Sequence, residues 1–119
     1  MRPFQIFVFA ICCCLSACQS APPAIGKNLG GGSSADVSRA FDARVRSRFP
    51  VGSSEADMVA ELEREEFKTV SQDKLVSRYP FKAYRDRPGL PCRQVWTIRW
   101  NSEVGKIIDI EGAYSATCL

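Results

Sequence analysis

No histidine occurs anywhere in the 119 residues. That absence removes Ser-His and Cys-His nucleophilic pairs, histidine-bearing zinc sites and a histidine pH switch together. Charge of one sign is also scarce: 16 basic against 13 acidic residues leave +3, too mild a field for nucleic-acid binding. Long apolar runs are missing too. The longest stretch, Pro3 to Leu15, gives about 13 residues where a bilayer span needs roughly 18–20. No repeat and no low-complexity tract appears outside one glycine-rich stretch near the N-terminus. What remains is material for one small domain that buries about 60–65% of its unfolded surface, so that a covalent staple would matter to it.

The short apolar run follows Met1 and Arg2 and ends in Leu15, Ser16, Ala17 and Cys18. A charged start, an apolar middle and small residues at the end are the order of a secretory signal. The last four residues resemble a bacterial lipobox, which implies diacylglycerol transfer to the Cys18 thiol, cleavage before it, and acylation of the new amino group. Two or more acyl chains are what stable anchoring requires. Residues 1–17 are therefore expected to be a lipoprotein signal peptide. Gln19 rather than Asp after the cysteine favours, by the enteric sorting pattern, the outer membrane, with the domain facing the periplasm. Residues 18–33, with Pro22, Pro23 and Gly30 to Gly32, are expected to be the lipidated end and a flexible tether reaching roughly 20 Å.

Of six cysteines, Cys12, Cys13 and Cys14 leave with the leader and Cys18 is acylated. Cys92 and Cys118 are left in an oxidising compartment, where one bridge is expected. Closing a loop of roughly 27 residues would contribute about 3.5 kcal/mol.

Residues 34–119 are expected to fold as an α+β domain: two N-terminal helices on a small antiparallel sheet of about three strands, ending in a disulfide-linked hairpin. A cap at Ser34 and a stripe of Val37, Phe41 and Val45 predict a first helix, stopped by Pro50. Gly52, Ser53 and Ser54 start a second, with Met58, Val59 and Leu62 buried and an end near Glu66. Arg44, Arg46 and Arg48 suit the first helix's negative end; contact with anionic lipid is the alternative. Glu61, Glu63, Glu65 and Glu66 read as a solvated face. Residues 67–71 suggest a short strand. In the hairpin, Trp96, Ile98 and Trp100 alternate with Val95, Thr97 and Arg99, and Ile108, Ile110 and Tyr114 share one parity on the return. That register places Cys92 nearer Tyr114 than Cys118, so the tail is expected to curl back.

Residues 78–91 mix aromatic and basic side chains with three prolines, which argue against a central strand and for a loop or edge strand. Tyr79, Phe81, Tyr84, Arg85 and Arg87 are candidate interaction residues, since aromatics and arginine anchor interfaces; Tyr79 and Phe81 as core residues is the alternative. No catalytic set, cofactor or metal is expected.

The lipobox, the glycine tether and the break Pro50 to Ser54 into a second helix carry a resemblance, together with Val59, Trp96-Thr97-Ile98 and Gly112-Ala113-Tyr114. The chain resembles the SmpA/OmlA (BamE-like) group of small outer-membrane lipoproteins over roughly 41–114. Two features differ: the Gly-x-Pro after the second helix is Glu65-Glu66-Phe67 here, and the Cys92/Cys118 pair is additional. The resemblance implies two helices on a three-stranded antiparallel sheet, and a non-enzymatic scaffold or interaction role in envelope and outer-membrane protein assembly. The alternative from another class is a periplasmic enzyme inhibitor or immunity lipoprotein, plugging a hydrolase with the 78–91 segment. Either way the partners are a protein and, through the lipid anchor, a membrane.

Overall fold

A computed structural model describes residues 22–71, 79–89 and 91–118. The expected Cys18 anchor and the leader lie outside them. The described chain is α+β. A single-turn 3-10 helix (Ala24–Gly26) precedes α1 (Ser34–Arg48), α2 (Glu55–Arg64) and four strands, β1 (Lys68–Ser71), β2 (Phe81–Arg87), β3 (Cys92–Glu103) and β4 (Lys106–Cys118). The sheet is antiparallel in the order β1-β2-β3-β4, one strand more than expected.

α1 is capped by Ser33, one residue before the predicted cap at Ser34. Ser33 Oγ accepts from Asp36 N at 3.2 Å while the Asp36 carboxylate accepts from Ser33 N at 3.4 Å, a reciprocal box that satisfies two otherwise unpaired helix-start donors. Phe41, Val45 and Phe49 are buried along one stripe. Pro50 follows the end, where a missing N–H and fixed φ terminate a helix. α2 starts on Ser54, whose side chain accepts from Asp57 N, and buries Met58 and Leu62. The connection between the helices is stitched to the hairpin tip: Gly52 N donates to Ile107 O at 2.8 Å, Ile107 N to Ser53 O at 3.0 Å and Glu55 N to Gly105 O at 3.0 Å. Gly52 holds φ +93°, open only to glycine without strain.

β2 corrects the expectation for residues 78–91. Pro80, Pro88 and Pro91 flank the run Phe81–Arg87 instead of interrupting it, so every residue inside can donate to a ladder. β2 accordingly lies between β1 and β3, with Phe81 opposite Trp100 and Arg87 opposite Gln94.

The β3–β4 hairpin turns on Val104 and Gly105, both at positive φ, the two-residue geometry that follows the strand twist. A bulge then changes its register: Asn101 opposes Asp109 but Ser102 opposes Ile107, so Ile108 is the extra residue. The predicted parity fails there for that reason. Ile107 and Ile110 both enter the core, while Ile108 is 38% exposed. Beyond the bulge the shifted register puts Tyr114 opposite Trp96 and Cys118 directly opposite Cys92. No curling of the tail is needed, and the two cysteines are disulfide-bonded.

One sheet face carries Ala83, Trp96, Ile98, Trp100, Ile107 and Ile110, all buried against the helices. α1 crosses β4 closely at Gly112. A Cβ there would come within 2.8 Å of Val45 Cγ2 and 3.2 Å of Asp42 Cα, so only glycine permits this approach. Among the described residues, no helix is long and apolar enough to cross a membrane.

Candidate contact surfaces

The five candidate interaction residues do not form one surface. Alternation along β2 sends Phe81, Ala83, Arg85 and Arg87 toward the helices, and Lys82, Tyr84 and Asp86 to the opposite face. Tyr79 is 8% exposed and belongs with the core. Phe81 stacks on Trp100 with ring centroids 5.9 Å apart. The Arg85 side chain is 11% exposed and lies 3.3 Å from Glu66, and Arg87 donates to Gln94 Oε1 at 3.2 Å. Of the five, Tyr84 alone faces outward, with Lys82 Nζ 5.7 Å from its ring centroid.

That outward face spans all four strands, and among the described residues no helix covers it. It combines Val70 of β1 with Lys82, Tyr84 and Asp86 of β2, Val95, Thr97 and Arg99 of β3, and Glu111 and Ala113 of β4. Ion pairs lace it across strands: Arg93 holds Asp86 bidentately, and Arg99 lies 3.5 Å from Glu111. The Arg93 hydrogen bond holds the Asp86 carboxyl below the usual carboxylate range, and the carboxylate in turn raises Arg93. Both groups are solvated, so the pair orients side chains more than it stabilises the fold.

The sheet edges are managed differently. At β4, Gly112 N donates to Asp42 Oδ1 at 2.8 Å and Tyr114 N to Ser38 Oγ at 2.9 Å. Outward-pointing N–H groups that could pair with another chain are thus taken by α1. Sequence reasoning did not assign these two residues. Their signal was polar side chains at i and i+4 flanking the Phe41/Val45 stripe, which a helix facing a strand edge would place there.

The arginines at the end of α1 are engaged within the fold. Arg46 pairs with Asp42 and Arg48 with Glu61. Arg44 reaches the N-terminal segment, donating to the carbonyl oxygens of Ile25, Lys27 and Asn28. At the C-cap of α2, Glu65 Oε1 accepts from Ile25 N at 3.3 Å. Ile25 and Pro23 are buried, and Leu29 packs on the core. Residues 22–29, expected within a flexible tether, are therefore a strap seated on the domain. The sequence hid this because Ile25 and Leu29 are isolated apolar residues among prolines and glycines. Among the described residues no group of three or more His, Cys, Asp or Glu could hold a metal ion.

Compared with known proteins, the chain matches no family model, no curated protein and no solved structure.

Proposed function

We propose that the protein is a non-enzymatic lipoprotein of the bacterial envelope. It is anchored through Cys18 in the inner leaflet of the outer membrane, faces the periplasm, and acts by surface contacts in envelope or outer-membrane protein assembly, as the SmpA/OmlA resemblance implies. The observation that carries this reading is the Cys92–Cys118 bridge. A disulfide between strands belongs to an oxidising compartment, in keeping with an exported chain whose leader ends Leu15, Ser16, Ala17, Cys18. The contact surface is the uncovered sheet face around Tyr84, where an aromatic and several basic groups stand on a rigid four-stranded support. The inhibitor alternative relied on a protruding 78–91 segment, and most of that segment is an inner strand.

The test has two arms in cells. A fatty-acid label should mark the protein, and Cys18→Ser should abolish both label and cleavage; normal processing of Cys18→Ser would sink the anchor. A photo-crosslinker at Tyr84 should capture outer-membrane assembly proteins. Capture of one soluble hydrolase would establish the inhibitor reading instead.

A further inference from the structure

Between the strap, the first turn of α1 and the sheet lies a cleft of about 480 Å³, a size at which small molecules are bound. Leu29 and Val37 form apolar walls, Trp96 lies between them and the sheet, and Arg87, Gln94 and Tyr114 reach in from three strands. Arg87 is the sole charged group among these lining residues, and among the described residues no carboxylate is paired with it. Its partner is the neutral Gln94 Oε1 at 3.2 Å, and Gln94 Nε2 donates onward to Tyr114 Oη at 2.9 Å.

That chain of bonds has a direction. Arginine can only donate, which fixes the Gln94 amide with its oxygen toward Arg87 and its nitrogen toward Tyr114. Tyr114 Oη therefore accepts, and its own proton is left to donate. The Arg87 guanidinium has five N–H groups and spends one on Gln94. A further donor is unused: Trp96 Nε1 is buried and has no acceptor. It sits beneath Gly26, where a Cβ would come within 2.7 Å of it. Gly26 covers this donor, so the carboxylate acceptors fall to Arg87 and Tyr114 while the Trp96 ring offers its apolar surface.

We propose that this cleft binds a monoanionic carboxylate carrying an apolar substituent, the chemistry of a peptide C-terminus with an aliphatic last side chain. One unpaired guanidinium matches one negative charge, and a carboxylate takes two of its N–H groups in parallel. A phosphate dianion would leave a charge unmatched next to apolar walls. The carboxylate lies on Arg87 and the Tyr114 hydroxyl, and the aliphatic group packs on Leu29, Val37 and the Trp96 ring. This site is on the opposite side of the sheet from Tyr84, so it does not depend on the proposed contact surface or on the anchor.

The full chain, labelled with 15N, reads the site through its two indole N–H signals. Trp96 lines the cleft, whereas Trp100 Nε1 is bonded to Glu55 at 2.8 Å at the far end of the core. Titration with N-acetyl-L-leucine should shift the Trp96 signal saturably with a Kd of about 1 mM, as suits so small a ligand. N-acetyl-L-leucinamide should bind at least tenfold more weakly, and inorganic phosphate should not displace the acid at equal concentration. Arg87→Gln should weaken the acid tenfold or more, with the Trp100 signal unmoved as evidence of an intact fold. Tyr114→Phe should do so about fivefold, and Arg93→Gln should change nothing. Equal affinity for acid and amide, displacement by phosphate, no saturation up to about 50 mM, or acid binding retained in folded Arg87→Gln would overturn the proposal.

Discussion

Glu66 stands at φ +67° just past Glu65, the C-cap of α2, a conformation that crowds any residue with a Cβ. Its backbone is committed to the helix end: Phe67 N donates to Leu62 O at 2.9 Å and Glu66 N to Glu63 O at 3.0 Å. These are the two bonds of a Schellman ending, in which the left-handed residue is usually glycine. The strain is offset by burial of Phe67, 4% exposed, and only slightly by the ion pair with Arg85, since the Glu66 side chain is 79% exposed. Glu66→Gly should therefore stabilise the protein by about 0.5–1 kcal/mol, measured as a higher urea midpoint at unchanged slope. A lower midpoint would mean that the Glu66–Arg85 pair outweighs the backbone strain.

At the scale of elements, legibility followed locality. Both helices were readable because their stripes and caps are written within a few residues of one another: Phe41 with Val45, Met58 with Leu62, Ser54 with Asp57. β3 was readable from Trp96, Ile98 and Trp100. What depended on distant pairing was not. A bulge at Ile108 leaves no mark in composition, and it moves Ile107 into the core and Cys118 opposite Cys92. β2 is hidden in the sequence because Pro80, Pro88 and Pro91 mark the whole segment although none falls inside the strand. The candidate contact residues are divided for the same reason, since a strand sorts Tyr84 from Arg85 onto opposite faces where a loop would not. The strap was illegible because its hold is supplied by Arg44, 19 residues from Ile25, and by Glu65, 40 residues away. That hold can be loosened selectively. Arg44→Met keeps the aliphatic stem and removes three donated hydrogen bonds, a loss of about 1 kcal/mol for partly solvated groups. Amide exchange at Ile25 and Gly26 should then speed up about fivefold, the factor that such a loss allows, while the β3 amides keep their protection. Unchanged exchange at Ile25 would show that burial of its side chain alone seats the strap.

For the whole molecule, the described domain has one core, shared by the strap, both helices and the sheet, and a domain of this size has little stability in reserve. β3 and β4 are its longest strands and, with α1 packed on them, form its main framework. Their turn at Val104 and Gly105 closes one end, with Val104 fully exposed at positive φ, so the turn itself contributes little. The Cys92–Cys118 bridge closes the other end, directly across an existing pair of strands. Because that pairing already exists in the folded chain, the bridge acts chiefly on the unfolded ensemble, which it forbids from expanding over the 26-residue separation. Two consequences should appear together in the Cys92→Ala/Cys118→Ala double variant, which leaves no free thiol in the domain. Stability should fall by about 2–4 kcal/mol, and the urea slope should rise, because the freed chain exposes more surface when it unfolds. If the slope stays the same while stability drops, the bridge works through packing in the folded state. If neither changes, the strands are held at that end by their ladder alone, and the cysteines are dispensable to the fold.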